Sequence, residues 1–164
     1  MIKQWIQPTE QLDSLIGKMS SEDQTKIKNF IDMLRNEKKD FLFMRKLLGF
    51  HTKEITESHV VASIPVTEAI SNGRNMVHGG IIALLADSAM GLLAAKLSVE
   101  DNSAVTSNLT MNFISPGRGR YLDALVQLIH SGRKTMVMNC RIENDQGKLI
   151  AMAQGTFFVV PGDY

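Results

Sequence analysis

At 164 residues, with 44% apolar and 21% charged side chains and a formal net charge of +1, the chain has the composition of an ordinary globular protein with enough length for a sizeable core. The near-neutral charge gives no pull toward nucleic acid or an anionic membrane, and the single cysteine, Cys140, excludes an internal disulfide. The N-terminal residues carry no apolar signal-peptide core, and the longest apolar stretch, Ile81 to Ala95, reads as too short and too interrupted to span a bilayer, so a cytoplasmic enzyme or binding protein without a membrane role is expected.

The front of the chain is helical in pattern. Pro8 and Thr9 precede a short run with Leu12, Leu15 and Ile16, which Gly17 ends or weakens. A second start falls at Ser21-Glu22-Asp23-Gln24, a capping-box pattern, after which Ile27, Phe30, Ile31 and Leu34 share one face that must bury against something. Phe41, Leu47 and Leu48 carry the apolar pattern on to Gly49, where the helix should stop. The division expected is a helical extension over residues 1–42 and a main domain over residues 43–164.

Beyond Gly49 the texture turns to short strands. Phe50 to Ile55 and His59 to Val66 read as a pair, with Pro65 placing the second at a sheet edge or at its own end. The loop Ser71-Asn72-Gly73-Arg74-Asn75 is rich in residues that tolerate turns and positive φ. Ala104 to Ser115 alternates cleanly, which predicts Val105, Ser107, Leu109, Met111 and Phe113 on one face and Thr106, Asn108, Thr110 and Asn112 on the other. Pro116-Gly117 breaks that run, and three more strands follow at Tyr121 to His130, Thr135 to Glu143 and Leu149 to Val160, the last two joined by an Asn144-Asp145-Gln146-Gly147 hairpin. One long helix among five or six antiparallel strands makes an α+β fold with the sheet wrapped round the helix.

That helix carries the chemistry. It opens on His78-Gly79-Gly80, is apolar through Leu97, and is interrupted by one carboxylate, Asp87. A helix apolar on every side reads as buried, and an isolated acid there is costly unless something compensates it. Two glycines at a helix start leave backbone N–H groups uncovered, a fit for negative charge developing on a carbonyl oxygen. Gly79 and Asp87 stand eight residues apart, about 12 Å along a helix, whereas a carbonyl and its attacking water must meet within about 3 Å. A site built across a two-fold pair of chains resolves the mismatch.

The run Asn72-Gly73-Arg74-Asn75-Met76-Val77-His78-Gly79-Gly80, with Asp87 and Gly91 and the strand end Asn112-Phe113-Ile114-Ser115-Pro116, resembles the hotdog-fold acyl-CoA thioesterases of the phenylacetate-pathway (PaaI-like) type. The resemblance covers residues 43 to 164. It implies a hotdog fold, a homodimer or homotetramer with sites shared between subunits, and hydrolysis of a coenzyme A thioester without metal or bound cofactor. By the same resemblance, the Gly79 N–H polarises the thioester carbonyl, and Asp87 acts as general base or as nucleophile. Thr106 orients the water, while Asn72 and His78 hold the substrate loop. Gly80, Arg133 and Lys134 are candidates for substrate binding, the last two for the nucleotide phosphates. Asn75 stands where many relatives have glycine, and asparagine tolerates the left-handed backbone. The front segment is a second departure, since the usual short members lack it.

Each assignment has a plainer counterpart. His78 can be a helix cap, Asn72 a turn former, Thr106 an ordinary strand residue, Asp87 a carboxylate satisfied by a neighbour, and Arg133 and Lys134 a solvated hairpin tip. His51, His59 and His130 have no ligand spacing with any acid or with Cys140, so no metal is expected. Met90, Leu93 and Phe113 suggest apolar surroundings for the acyl group. Two rival functions share the fold: an acyl-CoA-binding regulator that contacts DNA through the front helices, and an enoyl-CoA hydratase. The nine basic against seven acidic residues of positions 1–46 make a poor basic face for the first. The separation of His78 from Asp87, about 13 Å by helical rise, disfavours the second.

Overall fold

The computed structural model describes residues 14–35, 48–98 and 102–162, which belong to two units, Met1–Leu47 and Leu48–Tyr164. In the first unit a helical turn over residues 14–17 closes through Lys18 N–H to Leu15 O at 3.2 Å and Met19 N–H to Ile16 O at 3.1 Å, beside Gly17 as the pattern predicts. Helix α1 (Ser21–Arg35) follows. Its cap lies one residue earlier than expected: Ser20 Oγ accepts from the Asp23 N–H at 3.1 Å and donates to the Asp23 carboxylate at 2.7 Å, so Ser20 is the N-cap and Ser21 the first helical residue. The Ser20 hydroxyl holds the Asp23 carboxyl below its ordinary value. Ile27 and Ile31 are half-buried and Phe30 is exposed. Pro8, Thr9, Leu12, Phe41 and Leu47, on which the first helix start and the helical continuation rest, lie outside the described residues.

The second unit begins with Leu48 in a helical turn and Gly49 at φ +68, the stop expected there. Its elements are β1 (His51–Ile55), β2 (His59–Pro65), a 3-10 turn (Glu68–Ile70), α2 (Gly79–Leu97), β3 (Asn102–Phe113), β4 (Tyr121–Ser131), β5 (Thr135–Asn144) and β6 (Leu149–Pro161). The strands form one six-stranded antiparallel sheet in the order β1-β2-β4-β5-β6-β3. β2 is an interior strand, and Pro65 ends it opposite Tyr121, where its missing N–H breaks no ladder. The β5–β6 hairpin closes with Gly147 at φ +71 donating to Asn144 O at 2.9 Å.

The sheet wraps α2. Ile82, Leu85, Ala86, Ala89, Met90, Leu93 and Ala94 recur at helical spacing on its buried face. The strands turn alternate residues toward them, among them Ala62, Ala124, Met138 and Phe157. Gly155 lets β6 come close: a Cβ there would sit 2.9 Å from the Met90 side chain. By length and composition α2 is apolar enough to cross a membrane, which corrects the expectation that its apolar stretch is too short; its buried face makes it the core helix of this unit.

Two expectations fail in ways that matter for the site. α2 is not buried all round: Ile81, Leu84, Asp87, Ser88, Gly91 and Leu92 are only half-buried, so a second apolar stripe lies open in the single chain. Nor does β3 alternate strictly. A bulge between Thr106 and Asn108 shifts its register against β6, so Thr106 pairs with Phe157 while Leu109 pairs with Gly155 and Met111 with Ala153. The extra residue, Ser107, puts Ala104, Thr106, Leu109, Met111 and Phe113 on the helix side, and leaves Val105 40% exposed on the other.

Candidate active site

The start of α2 is fixed by its own histidine. His78 is the N-cap, with its N–H donating to Ile70 O at 2.9 Å and its Nδ1 accepting from the Gly80 N–H at 3.1 Å. An accepting Nδ1 in the neutral ring places the ring proton on Nε2, and the residue as a whole is exposed. The Gly80 N–H is therefore engaged. The Gly79 N–H has no partner among the described residues and, as one of the first helical N–H groups, points out along the positive end of the helix dipole. The Phe113 ring lies beside it, 3.6 Å from where a Gly79 Cβ would be.

The loop before the helix is a tight turn. Asn72 N–H donates to Met76 O at 2.8 Å, Asn75 N–H to Asn72 O at 2.9 Å, and the Asn72 side chain accepts from the Arg74 N–H at 2.9 Å. Asn75 adopts φ +56, the left-handed conformation its side chain tolerates. Val77 N–H bonds Gly117 O at 2.8 Å, strapping this turn to the loop after β3. Nothing local in the sequence signals that strap, because its two strands of chain are forty residues apart.

Two turns into α2, Asp87 is half-buried rather than sealed in the core. It is compensated by the Thr106 hydroxyl, which donates to Asp87 Oδ1 at 2.9 Å. The β3 bulge makes this contact possible, since strict alternation from Leu109 back along the strand would turn Thr106 to the opposite face. β3 is an edge strand, so the Asp87–Thr106 pair lies at the open margin of the sheet. Within one chain the pair sits about 12 Å along the helix from Gly79.

The remaining candidates divide. Asn72, His78, Gly79 and Gly80 cluster at the helix start, and Asp87 and Thr106 form a second group. Arg133 and Lys134 belong to neither. Their turn abuts the end of β6, with Val159 N–H donating to Lys134 O at 3.0 Å, and Thr135 pairs with Phe158, which in turn pairs with Val105. That is the end of the sheet opposite Phe113 and Gly79. Met90 and Leu93 are fully buried in the core and line no open surface, whereas Phe113 is 56% exposed.

Comparison with known proteins agrees with this architecture. The sequence pattern of the thioesterase superfamily matches residues 74–151, which span the helix-start loop, α2 and the strands through β5. The chain is 34% identical over 111 residues to the acyl-coenzyme A thioesterase PaaI of Escherichia coli, covering 67% of this chain and 77% of that protein. Among solved structures, the Escherichia coli PaaI protein superposes with a TM-score of 0.69 at 29% identity, covering 82% of this chain and 93% of its own. The BH2602 protein of Bacillus halodurans, crystallised with CoA, superposes with a TM-score of 0.76 at 28% identity, covering 92% of this chain and 99% of its own. That coverage reaches into the N-terminal unit, so the front segment is not peculiar to this chain. The fold is the hotdog fold, and the chain belongs to the thioesterase superfamily.

Proposed function

We propose that the protein hydrolyses an acyl-CoA thioester to the free acid and coenzyme A, at sites completed by a second copy of the chain. The observation that carries the reading is the pairing of a free helix-start N–H at Gly79 with a carboxylate, Asp87, held by Thr106 at an open sheet edge. Both the relative's name and the CoA in the Bacillus halodurans structure support the choice of thioester.

Two features of the fold support the second copy. β3 is a twelve-residue strand with one edge unpaired among the described residues, next to the open apolar stripe of α2. Thr106 and Phe113 both face the helix, since their partners Phe157 and Ala151 are buried. Two β3 strands pairing antiparallel about a two-fold axis near Thr110 set Thr106 of one copy opposite Phe113 of the other. Gly79 lies beside Phe113 and Asp87 beside Thr106, so each Gly79 N–H then meets the other copy's carboxylate, twice per dimer. The assembly proposed is a cytoplasmic homodimer, or a tetramer of two such dimers.

In each site the Gly79 N–H donates a hydrogen bond to the thioester oxygen as negative charge develops there, helped by the helix dipole. Asp87 takes the proton from water or attacks the carbonyl carbon itself. The Thr106 hydroxyl donates a hydrogen bond to Asp87 Oδ1, so it positions the carboxylate and leaves the second oxygen for the reacting centre. His78 holds the helix start in shape through Gly80, and Asn72 shapes the turn before it. Incubation with acyl-CoA thioesters of short, long and aromatic acyl groups tests the reading. Release of free thiol is expected for at least one class. Binding without release, or hydration of an enoyl-CoA with no thiol set free, overturns it.

A further inference from the structure

We infer that Arg74 and Arg118 form the binding site for the phosphate groups of the substrate's nucleotide; the inference rests on the acyl-CoA reading above. The two residues come from separate loops that are fastened together. Arg118 Nη2 donates to the Arg74 carbonyl at 3.2 Å, next to the Val77 to Gly117 strap. Each loop is also built from within. The Asn72 side chain takes the Arg74 N–H, while Asn144, only 8% exposed, donates Nδ2 to the Arg118 carbonyl at 2.8 Å and accepts the Gln146 and Lys148 N–H groups at 3.0 Å. Gly119 sits at φ +134, a conformation that L side chains rarely adopt, with the Asp145 carboxylate beside it, so a side chain there would be strained. The guanidinium groups therefore project from stiff backbone rather than from mobile loops.

Charge bookkeeping points the same way. Residues 72–75 and 116–120 hold three arginines and no acid. The neighbouring carboxylate, Asp145, is taken by Arg120 through its N–H at 3.0 Å and its Nε at 2.8 Å; this pairing holds the Asp145 carboxyl below, and Arg120 above, their ordinary values. Arg74 and Arg118 are exposed and have no carboxylate partner among the described residues. The Arg118 guanidinium is held at the Arg74 main chain, so two cations without a carboxylate partner come from adjoining backbone, and an anion can draw charge-assisted, fork-shaped hydrogen bonds from both. Val77, the strap residue, is two positions from Gly79, so the cations flank the end of the helix where the thioester carbonyl docks. Arg133 and Lys134 lie at the opposite end of the same chain.

The double variant Arg74→Gln/Arg118→Gln tests the assignment on two thioesters of one acyl group, one on coenzyme A and one on N-acetylcysteamine, which has no phosphate. The expected result is a KM for the acyl-CoA raised at least about tenfold with kcat held, against wild-type kinetics on the short thioester. Calorimetric titration with coenzyme A should show binding weakened by a similar factor, and a shallower salt dependence than wild type. An unchanged KM, an equal loss on both thioesters, or the same loss in Arg133→Gln/Lys134→Gln instead overturns the assignment. Failure of the wild type to hydrolyse any thioester would defeat the hydrolase reading alone. Coenzyme A titration then decides the site: weaker binding by the double variant sustains it, and equal binding overturns it.

Discussion

The two faces of α2 have the same kind of residue and opposite duties. One face is sealed: Leu85, Ala86, Ala89, Met90 and Leu93 are at most 2% exposed against the sheet. The other carries Leu84, Asp87, Ser88 and Leu92 half-open at the margin of an edge strand. Hydropathy alone cannot separate them, because an apolar stripe looks alike whether it meets its own sheet or another chain. What separates them is the bulge in β3 and the hydrogen bond it permits, Thr106 to Asp87. The sealed face holds the fold, and the open face carries the Asp87–Thr106 pair, for which a second chain is proposed.

That contrast can be broken from either side. Asp87→Asn is expected to cut kcat at least about 100-fold, as for loss of a base or nucleophile, while the melting temperature holds because the Thr106 hydrogen bond has an acceptor still. Circular dichroism melts beside thiol-release kinetics check both parts. On the sealed face, Leu93→Ala is expected to cost about 2–5 kcal/mol in urea unfolding and to leave kcat of the folded enzyme near wild type. Thr106→Val falls between: about tenfold in kcat, with KM and stability little changed, as the carboxylate loses its orientation but keeps its charge. The smallest effect is expected at Cys140. It is fully buried, and burial pushes its thiol up to about 12, so the reactive thiolate is absent at neutral pH and a thiol reagent should label it only as the protein unfolds.

The sequence carries most of the strands, the hairpin at Asn144 to Gly147, the helix opening at His78-Gly79 and the left-handed turn at Asn75, because each depends on neighbours a few residues away. It misleads at β3 for a physical reason. Residues 108–113 alternate polar and apolar, but Thr106, Ser107 and Asn108 are three polar residues in a row, which fit either face; the bulge at Ser107 falls there and exchanges the faces of everything before it. Ser20 and Ser21 are adjacent potential caps, and only the Ser20 hydrogen bonds decide between them. The half-exposure of Asp87 depends on β3 being an edge, and the junction of Arg118 with Arg74 on a contact between distant loops. Neither is written in local spacing.

The central claim is that each site takes Gly79 from one chain and Asp87 from another. Co-expression of an Asp87→Ala subunit with a Gly79→Val subunit tests it most directly. A Cβ at Gly79 would lie at ordinary contact distance, 3.6 Å, from Phe113, so the valine variant should fold with its free N–H covered. Each variant alone should be nearly inactive. Randomly paired subunits should regain up to about a quarter of wild-type activity, since half the dimers carry one intact and one doubly damaged site. Persistent inactivity in verified heterodimers of folded subunits would contradict the shared site and place the reaction within a single chain.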